Sequence, residues 1–272
     1  MARQIAFSAL FQESVARART LIVPSLPYAA LFVVASGILI WAANILPDGG
    51  SGFAVFSALT FLTLFAHSLF SVAMYHAVLP AETGKLTAAW KLTLAWLLVF
   101  VILAIAASMI TLFFAQIGAS LGVGTSDDAG NIADMTEQLR EGGAFWPVFC
   151  LFLATLFGVF WFITRLMVFA AATASRGTVH VLRTWYWTKG KFLILAPLLL
   201  VFALVPFVAL TYLGGSVGEA VFSAEPDPLE AAMATALGLI ILLPSAWLSH
   251  GLAATVFVHL APVEDQITTP AS

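Results

Sequence analysis

The sequence predicts an all-α, polytopic transmembrane bundle of six helices, and three observations predict it. Hydrophobic residues fill 61% of the 272 positions and charged residues only 9%, with a mean hydropathy of +1.02, whereas a soluble domain carries roughly 25% charged residues. Six apolar runs are each long enough for a bilayer core of about 30 Å, which takes ~20 helical residues. Lysine and arginine gather in alternate connections, as the positive-inside rule requires of a chain that crosses a membrane repeatedly. The runs are continuous rather than alternating, and barrel strands need only ~10 residues, so helices rather than strands are expected.

In chain order, residues 1–20 place Ile5, Phe7, Leu10, Phe11 and Val15 among Arg3, Arg17 and Arg19. They read as a cytoplasmic interfacial amphipathic helix whose arginines, Arg17 and Arg19 above all, meet anionic headgroups. The segment lacks a compact apolar core and a cleavage site, so it is expected to stay in the mature protein. A single transmembrane domain follows over 21–262, with spans at about 26–46, 53–79, 92–117, 146–174, 192–213 and 233–260, and 263–272 is a short tail.

The connections fix the orientation. Lys85 and Lys91 lie in the second and Arg176, Arg183, Lys189 and Lys191 in the fourth. The first, third and fifth carry Asp48, then Asp127, Asp128, Asp134, Glu137 and Glu141, then Glu219, Glu225, Asp227 and Glu230, with Arg140 the one basic residue among them. Both termini are therefore expected in the cytoplasm. In the fourth connection Val179, Leu182, Trp185 and Tyr186 recur at helical spacing, which predicts an amphipathic helix over 178–189 lying along the inner leaflet and ended by Gly190. Pro80 to Lys91, with Thr83, Leu86 and Trp90, reads as a shorter copy.

Self-comparison aligns the end of the second span, His67 to His76 followed by Pro80, with that of the sixth, His250 to His259 followed by Pro262. Arg165 takes the histidine position in the fourth span, which suggests three helical hairpins. Each returning helix then places one basic or imidazole group about 15 Å from its cytoplasmic end. A guanidinium at that depth must face the bundle or snorkel, so Arg165 is a candidate anion site, or a structural arginine bonded to backbone carbonyls. His67 and His250 are candidate ligand-binding residues beside it, with satisfied core histidines as the plainer alternative. Pro197, Pro206 and Pro244 predict bends in the last two spans.

Several classes are disfavoured. A net charge of −3 without a basic cluster argues against nucleic acid. One cysteine, Cys150, excludes an intrachain disulfide and a thiolate zinc site, and no carboxylate in a span accompanies the histidines, so neither metal nor cofactor is expected. Gly118, Gly122 and Gly124 are followed by no Lys-Ser or Lys-Thr and so form no phosphate loop. No nucleophile and base stand at recognisable spacing, and the chain is not expected to be an enzyme.

The stretch Arg165-Leu-Met-Val-Phe-Ala-Ala-Ala-Thr-Ala-Ser-Arg-Gly177, then Val181-Leu-Arg-Thr-Trp185-Tyr-Trp-Thr-Lys-Gly190-Lys-Phe192, resembles the membrane domain of glycerophosphoryl diester phosphodiesterases and related bacterial six-helix proteins. The likeness covers roughly residues 145–210 and elsewhere extends only to helix count. It implies a bacterial inner-membrane setting and an association with lipid or envelope upkeep. It does not carry hydrolysis, because no hydrophilic segment here is long enough for the metal-binding α/β barrel of the fused enzymes. The expected role is a non-enzymatic, phospholipid-engaging scaffold, with Arg17, Arg19, Arg183, Trp185, Lys189 and Lys191 at the lipid surface. The alternative is a small transporter or channel for an anionic solute or lipid, with His67, Arg165 and His250 lining its path.

Overall fold

The computed structural model describes residues 7–47, 49–117, 137, 139–223 and 225–261, together with the backbone of 118–120. The expected tail at 263–272, Asp48, and the acidic and glycine positions between 118 and 136 lie outside the described side chains. The helices are α1 (Phe7–Ile45), α2 (Gly50–Val78), α3 (Lys85–Ser120), α4 (Phe145–Leu166), α5 (Phe169–Arg176), α6 (Arg183–Trp187), α7 (Phe192–Leu199), α8 (Val205–Val221) and α9 (Pro228–Leu260). A π-helical turn, Leu200–Leu204, joins α7 to α8. Among the described residues, six helical stretches are long and apolar enough to cross a membrane, with mean hydropathies of 1.8 to 2.9. The protein is an all-α, multi-pass membrane protein of six such helices.

Three elements differ from expectation, each for a local reason. The interfacial segment and the first span form one helix of 39 residues from Phe7, about 58 Å long and so much longer than a bilayer core is thick. Pro24 and Pro27 lie inside it without ending it. Its buried stripe, Leu10, Ser14, Ala18, Leu21, Ser25, Ala29, Val33 and Ser36, keeps a three-to-four-residue rhythm through both prolines, so packing outweighs the lost backbone donors. The helix expected over 178–189 shrinks to Arg183–Trp187. Gly177 caps α5 in the left-handed region at φ +61°, and Gly190 closes the segment at φ +73°, leaving turns on either side. The amphipathic copy in the second connection is largely the opening of α3, which begins at Lys85.

The fourth span also divides, α4 ending at Leu166 and α5 starting at Phe169. In the fifth span the π turn falls between Pro197 and Pro206, at the place where the two rings remove backbone donors.

The helices fall into two compact units, residues 1–95 with 164–272, and residues 96–163. In the first, α1 packs most extensively on α9 and then on α2, α9 also meets α8 and the π turn, and α5 touches both α2 and α9. The α1–α2 and α8–α9 neighbours fit the first and third expected hairpins, but the chief partner of α1 is the last helix. Small residues make that approach possible. A Cβ placed on Gly251 would lie 2.8 Å from the carbonyl oxygen of Ser14 and from the amide nitrogen of Ala18, so the two backbones meet where only glycine fits. The second unit, most of α3 and α4, exposes Ile105, Met109, Leu112, Phe152 and Phe157, surface suited to acyl chains rather than water.

Candidate functional site

Within the first unit, His67 and His250 belong to one chain of rings. Phe32 lies 5.2 Å from His67 and 6.3 Å from Phe70, Phe70 lies 6.3 Å from His250, and Tyr75 lies 5.1 Å from His250. Nδ1 of His250 donates to the Ala246 carbonyl at 2.7 Å, which leaves Nε2, 3.0 Å from the Ser71 hydroxyl, to accept in the neutral tautomer. Both ring nitrogens thus have partners supplied by the fold.

Arg165 occupies a different neighbourhood, built by the turn between α4 and α7. It is buried, its guanidinium lies 5.0 Å from the centre of the Trp185 ring, and Nη2 donates to the Trp185 carbonyl. The Thr188 hydroxyl donates back to the Arg165 carbonyl at 3.0 Å. Arg176, also buried, lies over Trp187 at 4.8 Å and Phe257 at 5.5 Å. A planar guanidinium can stack and donate at once, which a lysine ammonium cannot do. The structure therefore links the two imidazoles through aromatic rings and sets Arg165 against Trp185 and Thr188.

Further bonds tie this region to α2 and to the connection that follows it. His76 Nε2 donates to the Ala174 carbonyl at 3.0 Å, the Ser175 hydroxyl to the Pro80 carbonyl at 2.7 Å, and the Glu82 amide to the Ser175 carbonyl at 2.9 Å. The His180 amide donates to Thr173 Oγ1 at 3.2 Å. Sequence reasoning missed Arg176, Thr173, Ser175, Thr188 and His76 as a group. The available signal was the concentration of serine and threonine over 173–188 in an otherwise apolar chain.

Of the six expected lipid-surface residues, Arg17 turns inward: Nη2 meets Glu13 at 2.7 Å and Nη1 donates to the Val78 carbonyl at 3.1 Å. Arg19, Arg183 and Lys189 are exposed. Trp185 is half-buried against Arg165, and Lys191 is half-buried beside a space of about 10 Å³ lined by Leu10, Leu195 and His259, with room for one water. Around the exposed cations stand Leu182, Tyr186 and Leu193, 64%, 75% and 86% exposed. Apolar and basic groups share this surface, and the buried arginine contacts hold its backbone. Among the described residues no three His, Cys, Asp or Glu side chains converge as they would around a metal.

Comparison with family models, curated proteins and solved structures yields no match to the chain.

Proposed function

We propose that the protein is a non-enzymatic scaffold of the bacterial inner membrane, with both termini cytoplasmic, that engages anionic phospholipid through the segment joining α5 to α7. One observation carries this reading: Leu182, Tyr186 and Leu193 stand exposed beside Arg183 and Lys189 on a segment held by Arg165 and Arg176. Apolar side chains at the acyl boundary next to cations at headgroup level are the combination that anionic leaflets attract, at about 1 kcal/mol per basic residue. The resemblance of residues 145–210 to phosphodiesterase membrane domains fits a role in envelope or lipid homeostasis. Transport past His67, Arg165 and His250 has less support, since the imidazoles are packed among rings and Arg165 serves the α4–α7 turn.

The test is the lipid composition retained on purification in mild detergent. Enrichment of phosphatidylglycerol or cardiolipin over bulk membrane, reduced in the Arg183→Glu/Lys189→Glu variant, supports the reading. Retained lipid that mirrors the bulk membrane in both proteins overturns it. Fusions reporting the side of each terminus test the orientation separately.

A further inference from the structure

Between α1 and α2 lies a second feature that the α5–α7 surface does not explain. A cavity of about 240 Å³ is lined by Leu31, Val34 and Ile38 on one side and Leu59, Leu62 and Phe65 on the other. Its one polar lining group, the Thr63 hydroxyl, is spent on the Ala35 carbonyl at 3.3 Å, so the walls offer nothing to a polar solute. Leu31, Val34, Ile38 and Leu62 are all exposed, which leaves the cavity open to whatever surrounds the helices. Inside a bilayer the surroundings are hydrocarbon.

A charge stands one helical turn before the α1 lining of the cavity. Tyr28, one helical turn before Leu31, receives the exposed Lys85: the ammonium lies 3.4 Å from the phenol oxygen and 5.0 Å from the ring centre. Among the described residues no carboxylate pairs with Lys85. Trp90, half-exposed, stands 5.7 Å from Phe61 and 6.5 Å from the lining residue Phe65, adding an amphipathic ring next to the α2 wall. From Tyr28 to Ile38 the helix rises about 15 Å, the length of an acyl chain segment below its headgroup. A cation one turn before a dry, hydrocarbon-facing cavity matches an amphiphile of opposite charge.

We infer that the α1–α2 cavity is a specific phospholipid site, in which Lys85 holds the anionic headgroup and Leu31, Val34, Ile38, Leu59 and Leu62 receive one acyl chain. The inference rests on the phospholipid reading above but names a different place, one lipid bound stoichiometrically rather than a surface attraction.

The experiment adds phosphatidylglycerol or phosphatidylcholine to delipidated full-length protein and counts bound lipids by native mass spectrometry. Wild type is expected to hold one tight phosphatidylglycerol. Ala35→Trp, which fills the cavity, and Lys85→Glu, an exposed change that spares the core, should each weaken that adduct by about tenfold or more. Arg183→Glu/Lys189→Glu should keep it. If Ala35→Trp and Lys85→Glu bind as wild type does while Arg183→Glu/Lys189→Glu does not, the cavity site is wrong and the surface reading stands. If neither headgroup is preferred in any protein, both fail. If wild type is a lipid-free dimer that Ala35→Trp converts to monomer, the cavity is an interface between copies and the inference is overturned.

Discussion

Nε2 of His259, near the end of the last helix, donates to Oε2 of Glu13, near the start of the first, across 2.7 Å. The two helices that open and close the described chain are thereby clasped at one level, where Arg17 also meets the same carboxylate and the end of α2. Glu13 lies in the first turns of a 39-residue helix, outside the stretch that fills a bilayer core.

Glu13 should make stability depend on pH with a definite sign. Partial burial opposes its ionisation, but the hydrogen bonds from His259 and Arg17 outweigh it and hold the carboxyl below its ordinary 4.5. A depressed folded-state value contributes stability that is present above about pH 4.5 and is lost as pH falls through that folded value. Thermal unfolding in detergent should therefore show Glu13→Gln less stable than wild type by about 0.5–1 kcal/mol near neutrality, the scale of half-exposed charged bonds. The gap should narrow as pH falls below 4.5 and vanish once Glu13 is protonated in the folded protein as well. A gap that stays constant across the titration would refute this account.

Gly251 and Gly238, thirteen positions apart on α9, should respond oppositely to alanine. At Gly251 the new methyl would press on backbone atoms of Ser14 and Ala18, which cannot rotate away. Separating α9 from α1 should cost about 1–3 kcal/mol. At Gly238 no atom lies within 4 Å of the added Cβ, so only the entropic preference of a helix for alanine remains, a gain of up to about 1 kcal/mol. Melting temperatures of the two variants decide it; equal losses at both sites would show that the close approach does not govern stability.

Six helices could be read because apolar runs of membrane length have few other solutions, and the π turn between Pro197 and Pro206 falls where the two rings remove amide donors. The continuity of α1 through Pro24 and Pro27 was not legible, since it depends on the stripe from Leu10 to Ser36 finding α2 and α9, which is a tertiary fact. Arg165 at membrane depth has to be satisfied internally, and the carbonyl of Trp185 accepts one of its bonds. That Arg165 meets Trp185 and Thr188 was hidden, because an equal register along three helices does not determine which faces meet. Arg17 shows the same limit: a basic residue flanking a span predicts headgroups, and only packing reveals Glu13 and the Val78 carbonyl as its partners.

Arg165→Lys should loosen the α5–α7 segment although the charge is kept. Lysine cannot both stack on Trp185 and reach its carbonyl in one plane, so the turn loses about 2 kcal/mol of support. Exposed Arg183 and Lys189 make the segment a protease target that opens with that equilibrium. Tryptic cleavage there, followed in nanodiscs, should accelerate by roughly thirtyfold. An unchanged rate would mean that the segment is held without Arg165.

Gly177 faces two demands that a double variant separates. Its φ of +61° is left-handed, and a Cβ built on it would run into the side chain of Thr83. Gly177→Ala should therefore cost about 1–2 kcal/mol for the backbone and a further amount of about 1 kcal/mol or more for the collision. Thr83→Ala alone should cost little, because the Thr83 hydroxyl is buried with no hydrogen-bond partner. Combined with Gly177→Ala it removes the collision and leaves the strain, so the double variant should be more stable than Gly177→Ala itself. Unfolding midpoints of the four proteins complete the cycle, and strict additivity would show that Thr83 is not what excludes a side chain at position 177.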